Sequence, residues 1–206
     1  MDRRPIAARQ TSWAVRLAES LARSGITPNA ISVWGMIFGI GAGLALASTR
    51  TGILVPLGWL GGAGLVALRL LANMLDGMVA ERQKSHSALG SLFNELPDRV
   101  SDAATLVGFG YALHSSPELG WLAALLAVLT AYLRAQLVVS GAPQDFGGPM
   151  AKPHRMAVII AASILMAVVP LTMIPKLALA IIVNLSIVTV WLRLARGAKF
   201  LRKGGS

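Results

Sequence analysis

Residues 73–99 read NMLDGMVAERQKSHSALGSLFNELPDR, and they place carboxylate and amide side chains inside or beside segments that are otherwise apolar. A carboxylate at the centre of a bilayer costs at least about 2.5 kcal/mol, even on lenient insertion scales. Side chains that carry such a cost are usually functional. The stretch therefore predicts a reaction centre within a membrane domain.

The composition around this stretch is that of a membrane protein. Of the 206 residues, 55% are hydrophobic and only 14% are charged, whereas charged residues make up about 25% of a soluble domain. The absence of cysteine excludes a disulfide framework and a thiolate metal site. Residues 1–25 lack the apolar core and cleavage site of a signal peptide, so we expect them to be retained.

Apolar runs long enough to cross a bilayer, which takes about 20 helical residues, recur along the chain. We predict six transmembrane helices, at residues 29–48, 53–75, 91–113, 119–139, 156–173 and 176–194. An even number of spans places both termini on the same side of the membrane. The predicted fold class is all-α integral membrane, with an additional amphipathic helix before the first span.

The charge distribution predicts the orientation. The formal net charge is +10, and basic residues are concentrated before the first span and after the last one. The positive-inside rule then places both termini, and with them the polar stretch, on the cytoplasmic side. We expect an integral protein of a bacterial inner membrane. Basic residues are not interleaved with aromatic stacking residues, so nucleic acid is not an expected partner.

The chain is predicted to be a single domain with two flanking segments. Residues 1–27 form a juxtamembrane helix, residues 28–194 the six-helix bundle and residues 195–206 a basic cytoplasmic tail. The first segment is amphipathic and is expected to lie in the membrane interface, with an ordinary cytoplasmic helix as the alternative. Its apolar side chains are Trp13, Ala14, Leu17, Ala18 and Leu21.

Small residues are frequent in the first two spans, in GMIFGIGAGLALA from Gly35 and GWLGGAGLVALRLLA from Gly58. Small side chains let helix backbones approach closely in lipid. This approach could occur within the bundle or across a homodimer, and the sequence is compatible with both.

Two of the predicted helices each carry polar and small residues three or four positions apart, which places them on one face. We predict that these helices face each other and bring Asn73 and Asp76 opposite Asn94 and Asp98. Oxygen ligands grouped in this way suit Mg²⁺ or Mn²⁺. Polar pairs that only hold helices together are the alternative. The two sets are Asn73, Asp76, Gly77 and Ala80, and Gly90, Asn94, Asp98 and Asp102.

The spacing resembles the signature of the CDP-alcohol phosphotransferase family. That signature is Asp, two residues, Asp-Gly, two residues, Ala-Arg, eight residues, Gly, three residues, Asp, three residues and Asp. This chain departs from it at three positions, where Asn73 and Asn94 replace aspartates and Glu81 replaces the arginine. The same intervals here give Asn73, Asp76-Gly77, Ala80-Glu81, Gly90, Asn94 and Asp98.

The resemblance implies a membrane phosphatidyltransferase of phospholipid biosynthesis. It would move a phosphatidyl group from CDP-diacylglycerol to a small, phosphorylated alcohol and release CMP, with Mg²⁺ or Mn²⁺ as cofactor. Asp98 would be the general base. By the resemblance, the metal ligands are Asp76, Asp98, Asn73 and Asn94, and the donor-binding residues are Gly77, Ala80 and Gly90.

The departures change the charge of the implied site. Each exchange of aspartate for asparagine removes one negative charge, so a second metal ion should be held weakly. Glu81 or Glu95 could restore charge, although Glu95 points about 100° away from Asn94 on an ideal helix. A relative without catalytic activity, which binds CDP-lipid or a membrane partner, is therefore the alternative function.

Basic residues outside the signature predict the acceptor site. Arg134 lies in the fourth predicted span, and Lys152 and Arg155 lie where the fifth one begins. Together they could bind the phosphate of the acceptor, since arginine recognises phosphate bidentately. The alternative is an ordinary positive-inside cluster at helix ends. A small transporter is a third possibility for the chain, and the lack of internal repeat symmetry disfavours it.

Overall fold

The structure is a computed structural model, and it describes residues 7–52, 54–83, 88–169 and 171–204, the side chains of residues 7, 8, 88–91, 93 and 94 excepted. Across these residues the regular structure is helical, as predicted. Short 3-10 turns at Ala7–Gln10 and Thr49–Thr51 accompany the α-helices. The α-helices are α1 (Ser12–Arg23), α2 (Pro28–Ser48), α3 (Val55–Arg82), α4 (Ala88–Gly110), α5 (Pro117–Val139), α6 (Lys152–Val168) and α7 (Ile174–Arg202).

Each predicted span corresponds to one helix from α2 to α7. Among the described residues, four helical segments are long and apolar enough to cross a membrane: Pro28–Thr51, α3, α5 and α7. The helix α6 has only 17 residues, and α4 contains several charged side chains. The integral-membrane class is thus supported by length and composition, whereas the count of six spans stays a prediction.

The helix α2 lies against both α3 and α4, which touch each other at only a few points. Small residues permit this arrangement, since a Cβ atom on Gly39 would overlap Ser101, and one on Gly43 would overlap the backbone at Ala104. Glycines at such positions allow close helix contact. The second and third predicted spans therefore meet through side chains near one end, as expected, whereas α2 separates their backbones over most of their length.

The interior and the exterior of the bundle are both apolar. Trp59 and Phe109 are fully buried and pack edge to face, with their ring centroids 5.8 Å apart. On the outside, Leu44 is 68% exposed, Val139 81% and Trp191 68%. Large apolar side chains on an outer surface mark a face that contacts lipid or another protein.

The helix α1 packs on α3 through Ala14 and Ala18. Ala14 and Ala18 are fully buried, whereas Trp13 is 48% exposed and Leu17 37% exposed. The apolar side chains of α1 therefore divide between a protein contact and an open surface. Its location in a membrane interface stays a prediction.

Candidate functional site

The predicted polar residues meet at one end of the bundle. Asn73 and Asp76 lie in the last three turns of α3, Asp98 lies in the first half of α4, and Lys152 begins α6. Gly90 and the side chain of Asn94 fall outside the described residues, so their part in the site stays a prediction.

Asp98 and Asn73 are in direct contact, although their helices are largely separated by α2. The Asn73 amide Nδ2 donates to both carboxylate oxygens of Asp98, at 3.1 and 3.2 Å. The Lys152 ammonium lies 2.5 Å from Asp98 Oδ2 and donates to Asn73 Oδ1 at 3.0 Å. Three helices thus place an amide, a carboxylate and an ammonium in one cluster.

Asp76 is positioned by α2 and by its own helix. Its Oδ2 accepts a hydrogen bond from the Ser32 hydroxyl at 2.8 Å, and its Oδ1 accepts one from the Gly77 backbone N–H at 2.5 Å. Asp76 is 3% exposed, and it lies within electrostatic range of Asp98 and Lys152. The sequence analysis did not identify Ser32, since a single serine one turn into an apolar helix has no distinctive pattern.

The small residues of the signature line the buried side of α3. Gly77 and Ala80 belong to the run 74–80, all of which is buried. Neither has a side chain larger than a methyl group, so neighbouring groups can approach the backbone of α3 closely there. Their contact with a donor molecule stays a prediction.

A second group of charges lies one helical turn further along α4. Asp102 is 1% exposed and is ion-paired with Arg69, which is also 1% exposed, and with Arg155 at 3.7 Å. Arg69 Nε donates to Ser101 Oγ at 2.8 Å, and Arg155 donates to the Met150 carbonyl at 2.8 Å. The buried Arg69–Asp102–Arg155 group therefore ties α3, α4 and α6 together directly behind Asp98.

Arg134 is engaged by a carboxylate and an aromatic ring. Its guanidinium lies 2.6 Å from Glu95 Oε1 and 5.1 Å from the ring centroid of Phe146. The other oxygen of Glu95 contacts Arg99 at 2.7 Å. Glu95 is thus engaged by two arginines on the outer side of α4, and in this arrangement it does not replace the carboxylate missing at Asn94.

The connection between α5 and α6 is fastened to α7. Arg193 donates to the carbonyls of Gly147 at 3.0 Å and Thr130 at 2.8 Å, and it is 6% exposed. Thr189 Oγ1 accepts the Met150 N–H at 2.9 Å. Arg193 was not predicted as a functional residue, because positive charge at the end of a last span is expected from topology alone.

The donor atoms at this end of the bundle are those of a hard cation site. Among the described residues, no group of three or more His, Cys, Asp or Glu side chains is placed to hold a metal. The candidate metal ligands among these residues are the carboxylates of Asp76 and Asp98 and the amide oxygen of Asn73. The positively charged ammonium of Lys152 lies between Asp98 Oδ2 and Asn73 Oδ1. Carboxylate and amide oxygens of this kind suit Mg²⁺ or Mn²⁺. By the chemistry of their donor atoms, these residues suit one divalent ion.

Three comparisons place the chain among known proteins. The sequence model of the CDP-alcohol phosphatidyltransferase family matches residues 25–194. The phosphatidylinositol phosphate synthase of Mycobacterium marinum is 30% identical over 152 residues, 70% of this chain and 61% of the relative. That of Mycobacteroides abscessus is 28% identical over 154 residues, 72% of this chain and 66% of the relative. The matched stretch thus spans slightly less than two thirds of these relatives.

Solved structures share the fold. Mycobacterium tuberculosis phosphatidylinositol phosphate synthase with CDP-DAG bound aligns with a TM-score of 0.76 at 21% identity, covering 91% of this chain and 94% of the other. The same enzyme in complex with manganese and citrate aligns with a TM-score of 0.75 at 22% identity, covering 89% and 88%.

Proposed function

Because the chain belongs to the CDP-alcohol phosphatidyltransferase family, we propose that it transfers a phosphatidyl group from CDP-diacylglycerol to a small phosphorylated alcohol and releases CMP. The observation that carries this proposal is the meeting of Asn73 and Asp98, from the two halves of the signature, at one end of the bundle. The product would be a phospholipid. The acyl chains of such a donor would lie in lipid, which accounts for a polar reaction centre in a helix bundle with an apolar exterior.

The acceptor that the relatives favour is inositol phosphate. The two relatives described above are phosphatidylinositol phosphate synthases, at 28% and 30% identity. Arg134, Lys152 and Arg155 are the proposed acceptor-binding residues, because a phosphate group needs basic partners that are partly withdrawn from water. Arg134 and Lys152 are each 16% exposed, whereas Arg155, at 2%, lies deeper and would contact the phosphate from behind.

Asp98 is the proposed general base. Its carboxylate would take the proton from the acceptor hydroxyl, and the resulting oxygen would attack the phosphorus that carries the diacylglycerol group. The bond from that phosphorus to the oxygen of CMP breaks, CMP leaves with the electron pair, and the proton passes from Asp98 to water. General base catalysis of this kind contributes about 10²- to 10⁴-fold to the rate.

A divalent ion on Asp76, Asp98 and Asn73, with Asn94 as a further proposed ligand, would supply positive charge against the donor's diphosphate. Ser32 and the Gly77 N–H orient Asp76 for this role. Gly77, Ala80 and Gly90 are the proposed donor-binding positions, where the absence of large side chains leaves room for the diphosphate.

The proposed arrangement in the membrane follows the predictions from the sequence. The chain is one domain with six spans from α2 to α7, α1 lies in the interface, and residues 195–206 form a basic tail. Both termini and the reaction centre face the cytoplasm of a bacterial cell. In that orientation the nucleotide of the donor stays in water while its acyl chains stay in lipid.

The proposal is tested by offering the purified protein CDP-diacylglycerol, inositol phosphate and Mg²⁺ or Mn²⁺, then measuring CMP release and the lipid product by mass spectrometry. We expect CMP and phosphatidylinositol phosphate in equal amounts, with neither formed when the metal is chelated. Glycerol 3-phosphate and free inositol serve as competing acceptors. Failure to release CMP with any acceptor would reject the activity.

A second candidate function is a relative that binds CDP-lipid without turnover. The pairing of Lys152 with Asp98 favours it, because an ammonium at that carboxylate opposes both metal binding and proton uptake. Binding of CDP-diacylglycerol without CMP release would support this second function.

A further inference from the structure

Lys152 is held by two oxygens that the proposed function assigns to a divalent ion. Its Nζ lies 2.5 Å from Asp98 Oδ2 and 3.0 Å from Asn73 Oδ1. The side chains of Lys152 and Asp98 are each 16% exposed, so water competes only partly for this contact. Mg²⁺ binds oxygen at about 2.0–2.1 Å, so an ion that used both oxygens would occupy the space now filled by the ammonium.

We infer that Lys152 is an internal competitor of the divalent ion for the Asn73–Asp98 oxygen pair. The inference rests on the proposed function, which supplies the ion. An ion can bind both oxygens only after the ammonium leaves, because two cations at that spacing repel each other strongly when partly buried. The affinity for the ion is therefore lowered by the cost of breaking the Lys152 contacts.

The displaced ammonium has a restricted choice of partners. Among the described residues, Asp98 and Asp102 are the carboxylates whose charge reaches Lys152 most strongly. Asp102 is already ion-paired with both Arg69 and Arg155, and it is almost completely buried. Once the ion holds Asp98, the ammonium is available for an external anion, and the acceptor's phosphate is the anion that the proposed reaction brings there.

This exchange couples the two ligands. A divalent ion that frees Lys152 raises the affinity for a tetrahedral anion, and by reciprocity the anion raises the affinity for the ion to the same degree. Asn73 makes the competition possible, since it is neutral and its amide accepts from Lys152 while donating to Asp98. An aspartate at position 73 would add negative charge and favour the divalent ion over the ammonium.

The inference is tested by titrating the purified protein in detergent micelles with Mn²⁺ and following the electron paramagnetic resonance signal of the free ion. Lys152→Ala and Lys152→Gln should each lower the Kd for Mn²⁺ by about tenfold, as expected for removing a charge-assisted hydrogen bond. Arg196→Ala is the control, because it removes a positive charge that is paired with a carboxylate, Asp145, without touching the oxygen pair. Size-exclusion profiles confirm that each variant is folded.

Sulfate, at constant ionic strength, serves as the tetrahedral anion in a second titration. It should tighten Mn²⁺ binding in the unmodified protein and have no such effect in Lys152→Ala. The inference is overturned if both Lys152 variants bind Mn²⁺ no more tightly than Arg196→Ala, if sulfate acts equally on Lys152→Ala, or if no variant binds Mn²⁺. These titrations contain neither CDP-diacylglycerol nor the acceptor alcohol. A separate failure to release CMP would therefore reject the proposed activity but leave the competition between Lys152 and Mn²⁺ unaffected.

Discussion

Asp98 and Asp102 lie one turn apart on the same face of α4, yet their surroundings differ. Asp102 is 1% exposed and lies between two arginines that are themselves buried. Asp98 is 16% exposed and is held chiefly by a lysine and an amide, with the buried Arg69 at the longer distance of 3.6 Å. Removing one partner of a buried ion pair leaves an uncompensated charge, and the cost is high. The partners of Asp98 can be exchanged for a ligand at much lower cost. The difference separates a carboxylate that holds the bundle together from one that is able to react.

Asp98→Asn should give the largest loss of activity, and it tests whether Asp98 is the carboxylate that reacts. It keeps the shape of the side chain but removes the base, so CMP release should fall by about 10²- to 10⁴-fold. Initial rates of CMP release, with thermal unfolding in the same detergent, measure both consequences. A variant that retained a tenth of the activity would not support Asp98 as the base.

Asp102→Asn should act on stability instead. It leaves the charges of Arg69 and Arg155 buried without their carboxylate, which costs about 3–5 kcal/mol in the free energy of unfolding. Denaturant unfolding in micelles is the measurement, and Glu19→Gln on the exposed part of α1 is the control. The double variant Arg69→Met/Asp102→Leu should recover part of the loss, because apolar replacements of buried ion pairs are tolerated. Unchanged stability of Asp102→Asn would break the comparison.

Arg134→Ala and Arg155→Ala test whether the basic residues divide in the same way, into one that binds a ligand and one that stabilises the bundle. Arg134 faces the half-exposed Glu95, so its loss should raise the KM for the acceptor by about tenfold or more, the value of one charged hydrogen bond. The KM for the donor should change little. Arg155→Ala should lower stability first, since Arg155 is 2% exposed beside Asp102. Equal effects of Arg134→Ala on the two KM values would remove Arg134 from the acceptor site.

Ser32→Ala should have the smallest effect. It removes one hydrogen bond to Asp76 and leaves the one from the Gly77 N–H. The rate of CMP release should fall roughly threefold to tenfold, as for a hydrogen bond of about 1 kcal/mol. Ser163→Ala is the matched control, because the Ser163 hydroxyl is buried with no hydrogen-bond partner among the described residues. A fall in rate no larger than that of the control would show that Ser32 does not orient Asp76.

The positions of the helices and the contact of Asn73 with Asp98 could be predicted, because both depend on patterns within one or two segments. Apolar runs locate the helices, and three- or four-residue spacing locates a face. The wedge of α2 between α3 and α4 could not be predicted, since it depends on which glycines meet which backbone. Lys152 was predicted beside the metal site as an acceptor-binding residue, but its contact with Asp98 and the contact of Ser32 with Asp76 were not predicted. Contacts between segments distant in the chain are not encoded in local spacing.

The charges on α4 and α6 have a consequence for biogenesis. Neither helix meets the criterion of length and apolarity that α2, α3, α5 and α7 satisfy among the described residues. Their charges compensate each other, Asp98 against Lys152 and Asp102 against Arg155. In a six-span arrangement, we therefore expect α4 to be stable in lipid only after α6 has been synthesised, so the reaction centre would assemble late, when five of the six spans are present.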